Sequence, residues 1–129
     1  MQYRKYWDEE IETMPPEALA AIESERLRKQ AVYIYHRSPF YRKKFDEAGV
    51  HPDHIRSVLD LPKLPFTTKD ELRQTQLEHG GLGGHQCAPM SDIVRIQGTS
   101  GTTGRPLFIG LTKQDAYIWA ELFARHGWT

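Results

Sequence analysis

Between Pro15 and Ser38 the apolar residues Leu19, Ile22, Leu27, Ala31, Ile34 and Tyr35 recur at roughly three- and four-residue steps. That spacing places side chains on one face of an α-helix, so a long helix is predicted here. Ser38-Pro39 should end it, because proline disfavours helix in the residue before it. A short second helix is expected over "PFYRKKFDEAG", with Phe40, Tyr41 and Phe45 turned inward and Gly49 as the C-terminal glycine. The proline-spaced "LPKLPF" reads as an extended connector. Thr68-Lys69-Asp70-Glu71 has the form of a capping box and starts a third helix through "ELRQTQLE". "HGGLGG" follows as a flexible connector.

Beyond the connector the period changes. "SDIVRI" is short and β-branched, "LFIGLT" is apolar, and both read as strands. Thr112 to Asp115 opens a last helix, with Ala116, Trp119, Leu122 and Phe123 on one face and Trp119 expected in the core. The organisation is therefore a helical segment over about 1–80, a Gly-rich connector over about 80–89, and a strand–loop–strand–helix unit over about 91–126. A lone strand pair needs a helix or further strands to be stable. The fold class is α/β, reading as α+β over this stretch.

Between the two strands lies "GTSGTTGRP", residues 98–106. Two or three glycines suffice for a hairpin turn, and tight hairpin loops usually have about 2–5 residues. This one keeps Thr99, Ser100, Thr102 and Thr103 between its glycines. Threonines suit left-handed turn positions poorly. Hydroxyls and bare backbone N–H groups suit an anion well, and a cation such as Arg105 adds charge-assisted hydrogen bonds. The pattern is not a P-loop NTPase motif: counting from Gly98 places Thr103 at the second glycine, and counting from Gly101 places Pro106 there. Nor is it a dinucleotide fingerprint, since Ser100 occupies the second glycine's place.

Composition narrows the classes further. The 129 residues carry 17 basic and 17 acidic side chains, with a mean hydropathy of −0.62. That balance lacks the basic excess of a nucleic-acid binder. No apolar run approaches the ~20 residues that cross a bilayer. "MQYRKYWDEE" has no apolar core, so it is not a signal peptide, and the chain reads as cytoplasmic. One cysteine excludes an internal disulfide. His79, His85 and Cys87 lie close together and His51-x-x-His54 forms a second pair, but structural zinc sites commonly use four ligands with two or more cysteines. Solvated loop histidines are the expected reading, and no metal ligand is assigned. "RLRK" and "YRKKF" read as solvated helix faces. Trp7, Trp119 and Trp128 are candidates for an aryl pocket, with packing the expected role.

"TSGTTGRP" resembles the phosphate loop of the AMP-forming adenylating enzymes, whose broad pattern is S-G-[ST]-T-G-x-P-K. Leu107 stands after the proline here, and the cation comes one place before it, as Arg105. That departure, followed by "LFIGLTKQDAYIW", resembles the phenylacetate–CoA ligase branch. "RKYWDEEIETMP", "SPFYRKKFDEAGV", "DLPKLPFTTKDELR" and "IVRIQGTSGTTGRP" occur in the order and spacing of that family's N-terminus. The resemblance covers nearly the whole chain, and "QLEHGGLGGHQCAPM" is its least typical part.

The resemblance implies an ATP-dependent ligase that joins phenylacetate, or another aryl or small carboxylic acid, to coenzyme A, releasing AMP and pyrophosphate. Thr99, Ser100, Gly101, Thr102, Thr103, Gly104 and Arg105 would bind the ATP phosphates, with Mg2+ sharing their charge. Arg105 either neutralises developing charge or points to solvent. It further implies that these residues are an N-terminal part of a longer adenylation domain, inactive alone. The remainder of that domain would be a partner, self-association is plausible, and no nucleic acid or membrane is expected. Two other readings stay open: a self-standing phosphate- or nucleotide-binding module, and a subunit-interaction piece without catalysis.

Overall fold

The computed structural model describes residues 4–100 and 106–128. Helix α1 (Glu9–Glu12) is capped by the Asp8 carboxylate, which accepts the Ile11 N–H at 3.2 Å. Helix α2 (Pro16–Arg37) enters on a proline at its first turn, where a missing N–H costs nothing. Ser38 then serves two helices. Its N–H donates to Ile34 O at 2.9 Å to finish α2, and its Oγ accepts the Tyr41 N–H at 3.1 Å to start helix α3 (Pro39–Glu47). Gly49 follows α3 at φ +64°, the left-handed conformation expected of it.

Ala31 of α2, Phe45 of α3 and Ile55 form the buried core of the helical part, with Leu27, Ile34, Tyr35, Val50 and Leu64 packed round them. The predicted stripe thus works from Leu27 onward, while Leu19 lies at the surface. The prolines of "LPKLPF" predict an extended connector; its first half instead winds into a 3-10 helix over Val58–Lys63, and the chain is extended from Leu64. The side chain of Asp60 explains it. Its carboxylate accepts the Arg56 and Ser57 N–H groups at 2.8 and 3.0 Å and pairs with Lys63 at 2.6 Å. Pro62 fits, because its fixed φ lies within the 3-10 range.

Helix α4 (Lys69–His79) starts on the predicted capping box: Thr68 Oγ1 accepts the Glu71 N–H at 3.3 Å, and Glu71 Oε2 accepts the Thr68 N–H at 2.6 Å. "HGGLGG" is a packed turn rather than a flexible connector. Gly80, Gly81 and Gly83 hold positive φ, which turns Leu82 into the interior. Gly84 is tied on both sides: its N–H donates to Thr75 Oγ1 at 3.0 Å, and its carbonyl accepts the Ser38 hydroxyl at 2.7 Å.

Strands β1 (Ile93–Gly98) and β2 (Phe108–Thr112) pair antiparallel, with Gly98 opposite Phe108 and Ile96 opposite Gly110. An irregularity between Ile93 and Arg95 shifts the register. Helix α5 (Lys113–Gly127) opens on a second capping box, Thr112 with Asp115, and contacts the sheet. Its apolar stripe does not enter a core. Trp119 is 39% exposed and Phe123 69%, alongside Val94 and Ile96 of β1. The expectation of a buried Trp119 fails because, among the described residues, nothing lies over that face. At the other side α5 meets the beginning of the chain. The Trp7 and Trp128 rings pack edge to face at 5.3 Å, Trp128 Nε1 donates to Arg4 O at 2.9 Å, and Trp7 Nε1 donates to Glu121 at 3.0 Å.

Candidate phosphate loop and its seat

Thr99 and Leu107 close the root of the glycine-rich loop. The Thr99 N–H donates to Leu107 O at 3.0 Å, extending the ladder one step past Gly98 and Phe108. In return the Leu107 N–H donates to the Thr99 hydroxyl at 3.1 Å. The sequence assigned that hydroxyl to an anion, and its lone pair here closes the loop's neck, leaving its O–H for donation. Ser100, next along, is exposed. Gly101, Thr102, Thr103, Gly104 and Arg105 lie outside the described residues.

Leu107 is 3% exposed. This gives the departure from P-K a physical sense in this chain, since the residue after Pro106 is a core residue and the cation stands at Arg105 instead.

The return strand sits on the glycine turn. At Gly110, a Cβ would lie 2.5 Å from Leu82 Cδ1 and 3.1 Å from Ile93 Cδ1. Only a bare backbone lets the Leu82 side chain approach so closely. Just upstream, the Gln76 carboxamide of α4 meets Phe108: Nε2 donates to Phe108 O at 2.6 Å and to Leu82 O at 3.2 Å, and Oε1 accepts the Phe108 N–H at 3.3 Å. Sequence reasoning missed Gln76 entirely. Its partner is 32 positions away, and nothing local distinguishes it from a surface glutamine.

No family model matches the chain. Against curated proteins, it is 44% identical over 116 residues to the phenylacetate-coenzyme A ligase of Thermus thermophilus, covering 90% of this chain and 25% of that protein. It is 42% identical over 115 residues to the enzyme of the same name from Escherichia coli, again over 25% of its length. The chain belongs to the phenylacetate–CoA ligase family. It corresponds to the family's N-terminal portion, and spans about a quarter of the length of these relatives. Among solved structures it superposes on 2-hydroxyisobutyryl-CoA ligase in the postadenylation state with 2-HIB-AMP, at a TM-score of 0.88 and 34% identity. That likeness covers 97% of this chain and 26% of the other. A further structure of that ligase, with 2-HIB-AMP and CoA in the thioesterification state, matches with a TM-score of 0.88 and 36% identity.

His51, His54 and His79 of this ligase-family chain bond to nearby groups. His54 Nδ1 accepts the His51 N–H at 3.0 Å, and His51 Nδ1 the Asp53 N–H at 3.4 Å, so that pair closes a turn. The His79 ring lies against Thr75 O at 3.2 Å. His85 is not the solvated loop histidine expected. Both its ring nitrogens are buried without a hydrogen-bond partner, and burial lowers its pKa from the ordinary 6.5. The Cys87 thiol points to His85 O at 3.5 Å, and burial pushes its pKa up. Among the described residues no three or more His, Cys, Asp or Glu side chains group as a metal site, and no helix is long and apolar enough to cross a membrane.

Proposed function

We propose that the protein is an ATP-dependent, AMP-forming acid–CoA ligase whose residues 98–106 hold the ATP phosphates. The observation that carries the reading is the 44% identity to a phenylacetate-coenzyme A ligase, running through a chain whose hydroxyl-rich loop is pinned at its root by Thr99 and Leu107. Phenylacetate is the acid we assign first. 2-Hydroxyisobutyryl-CoA ligase, at 34–36% identity over 26% of its length, makes a small hydroxy acid the competing substrate.

The reaction has two steps. A carboxylate oxygen attacks the α-phosphorus of ATP, the bond to the bridging oxygen breaks, and pyrophosphate leaves with an acyl adenylate formed. The coenzyme A thiol then attacks the acyl carbonyl, and AMP departs. The attacking acid is already ionised at neutral pH, so the loop needs no base. Its task is to fix the β- and γ-phosphates of magnesium–ATP so that pyrophosphate leaves in line. Backbone N–H groups at Gly101 and Gly104, the hydroxyls of Thr99, Ser100, Thr102 and Thr103, and the Arg105 guanidinium are the groups for this work. Magnesium travels with the nucleotide. The exposed apolar face of β1 and α5 is the surface we assign to the remainder of the adenylation domain.

Acid-dependent exchange of labelled pyrophosphate into ATP tests the reading, using the native polypeptide that carries this sequence. Gly101→Val should abolish exchange while the circular dichroism spectrum is unchanged, because a β-branched side chain displaces the phosphates from the backbone. Exchange near the unmodified rate would reduce the loop to a turn. Phenylacetate and 2-hydroxyisobutyrate, compared side by side, decide the acid.

A further inference from the structure

We propose that Gln76 is a positioning residue for the phosphate loop, because its carboxamide fixes the backbone at the point where the chain leaves that loop. The inference rests on reading residues 98–106 as the ATP-phosphate loop. Leu107 turns both its backbone groups toward β1, where Thr99 takes them. Phe108, one residue on, presents its N–H and C=O on the opposite edge of β2, as alternation along a strand requires. Gln76 takes both, with Nε2 donating at 2.6 Å and Oε1 accepting at 3.3 Å. A side-chain amide has the donor and acceptor of a peptide group, so Gln76 stands in for a third strand along an edge that no other strand pairs among the described residues.

The orientation of the amide is fixed by its partners. Its second N–H donates to Leu82 O at 3.2 Å, so the nitrogen faces two carbonyls and the oxygen faces one N–H. The reversed amide would set its oxygen against both carbonyls. Three elements thereby converge on one group: α4 supplies it, the glycine turn orients it, and β2 is held by it. Phe108 lies one residue beyond the neck that Leu107 and Thr99 close, so a shift of Phe108 along or away from α4 passes directly to the loop. A residue acting this way should affect phosphate binding more than binding of the acid.

Steady-state kinetics of the native polypeptide separate these effects, with Gln76→Met and Gln76→Glu as the variants. Both keep the side-chain length; the first removes all three hydrogen bonds, and the second opposes a carboxylate to two carbonyls. The expected result is a rise of about tenfold in KM for magnesium–ATP, with KM for the carboxylic acid changed by less than about twofold. An unchanged ATP KM in both variants overturns the proposal, as does an equal rise in both KM values together with a lowered melting temperature. Gly101→Val run in parallel keeps the two ideas apart: if that variant still exchanges pyrophosphate, the loop reading itself falls, whereas a dead Gly101→Val beside a normal Gln76→Met removes only Gln76. Should neither Gln76 variant fold, amide hydrogen exchange of the unmodified native polypeptide decides. Slow exchange of the Phe108 N–H supports the clamp, and exchange at the rate of an unstructured amide overturns it.

Discussion

Ser38→Ala should cost this small domain far more than a surface serine would. Ser38 is 1% exposed, and its hydroxyl has two duties. As the N-cap of α3 it accepts the Tyr41 N–H at 3.1 Å, and losing such a cap costs about 1 kcal/mol. As a donor it reaches Gly84 O at 2.7 Å, 46 positions away, and a buried hydrogen bond of this kind contributes about 0.5–1.5 kcal/mol net. The carbonyl it abandons keeps only the Phe40 N–H at 3.3 Å, so part of a desolvation penalty of about 1–3 kcal/mol is added. The sum is about 2–3 kcal/mol. Urea unfolding followed by far-UV circular dichroism measures it, provided the m-value stays constant. Thr75→Val, which removes the hydroxyl accepting the Gly84 N–H at 3.0 Å, should couple to it in a double-mutant cycle by at least about 0.5 kcal/mol. A loss below about 1 kcal/mol for Ser38→Ala, or strict additivity with Thr75→Val, would refute the view that both residues hold one turn in place.

Gly110→Ala places a methyl 2.5 Å from Leu82 Cδ1 and should destabilise by about 1–3 kcal/mol, read by the same urea titration. His85 binds its proton less readily folded than unfolded, so its contribution is whole above the ordinary 6.5 and is lost as pH falls below that value. Melting temperatures between pH 7.5 and 5.5 should therefore drop more steeply for the unmodified chain than for His85→Gln (buffers spanning about two pH units suffice). Glu71 is held at about 2, first by the Lys44 ammonium and then by the Thr68 N–H and hydroxyl. Its stabilisation is present above 4.5 and fades as pH falls toward about 2, so Glu71→Gln should flatten acid unfolding monitored across that window.

The elements legible in the sequence are those whose determinants lie within a few residues. Thr68 and Glu71, or Thr112 and Asp115, satisfy one another across a single turn, and Ser38-Pro39 ends one helix and starts the next. The strands flanking the glycine-rich stretch were equally readable from their β-branched and apolar runs. What escaped depends on distant partners. "HGGLGG" looks flexible because four glycines tolerate many conformations, and the single one adopted is chosen by Ser38, Thr75 and the bare backbone at Gly110. Trp119 has the helical spacing of a core residue, but spacing reports which face is apolar and not what covers it. In the proposed phosphate loop the sequence suggests one role for Thr99, and the pairing with Leu107 adds another that no local pattern encodes.

The contact of Trp128 with Arg4 and Trp7 has a kinetic consequence. Trp128 bonds to Arg4 across 124 positions, and joining points that far apart in an otherwise loose chain costs about 4 kcal/mol of loop entropy, growing only logarithmically with length. A few exposed contacts cannot repay that before the intervening helices have drawn the ends together. The tryptophan pair should therefore assemble after the barrier to folding is crossed. Trp7→Ala would leave the refolding limb of a chevron plot almost unmoved and raise the unfolding limb, so this contact sets how long α5 stays joined to the segment before α1.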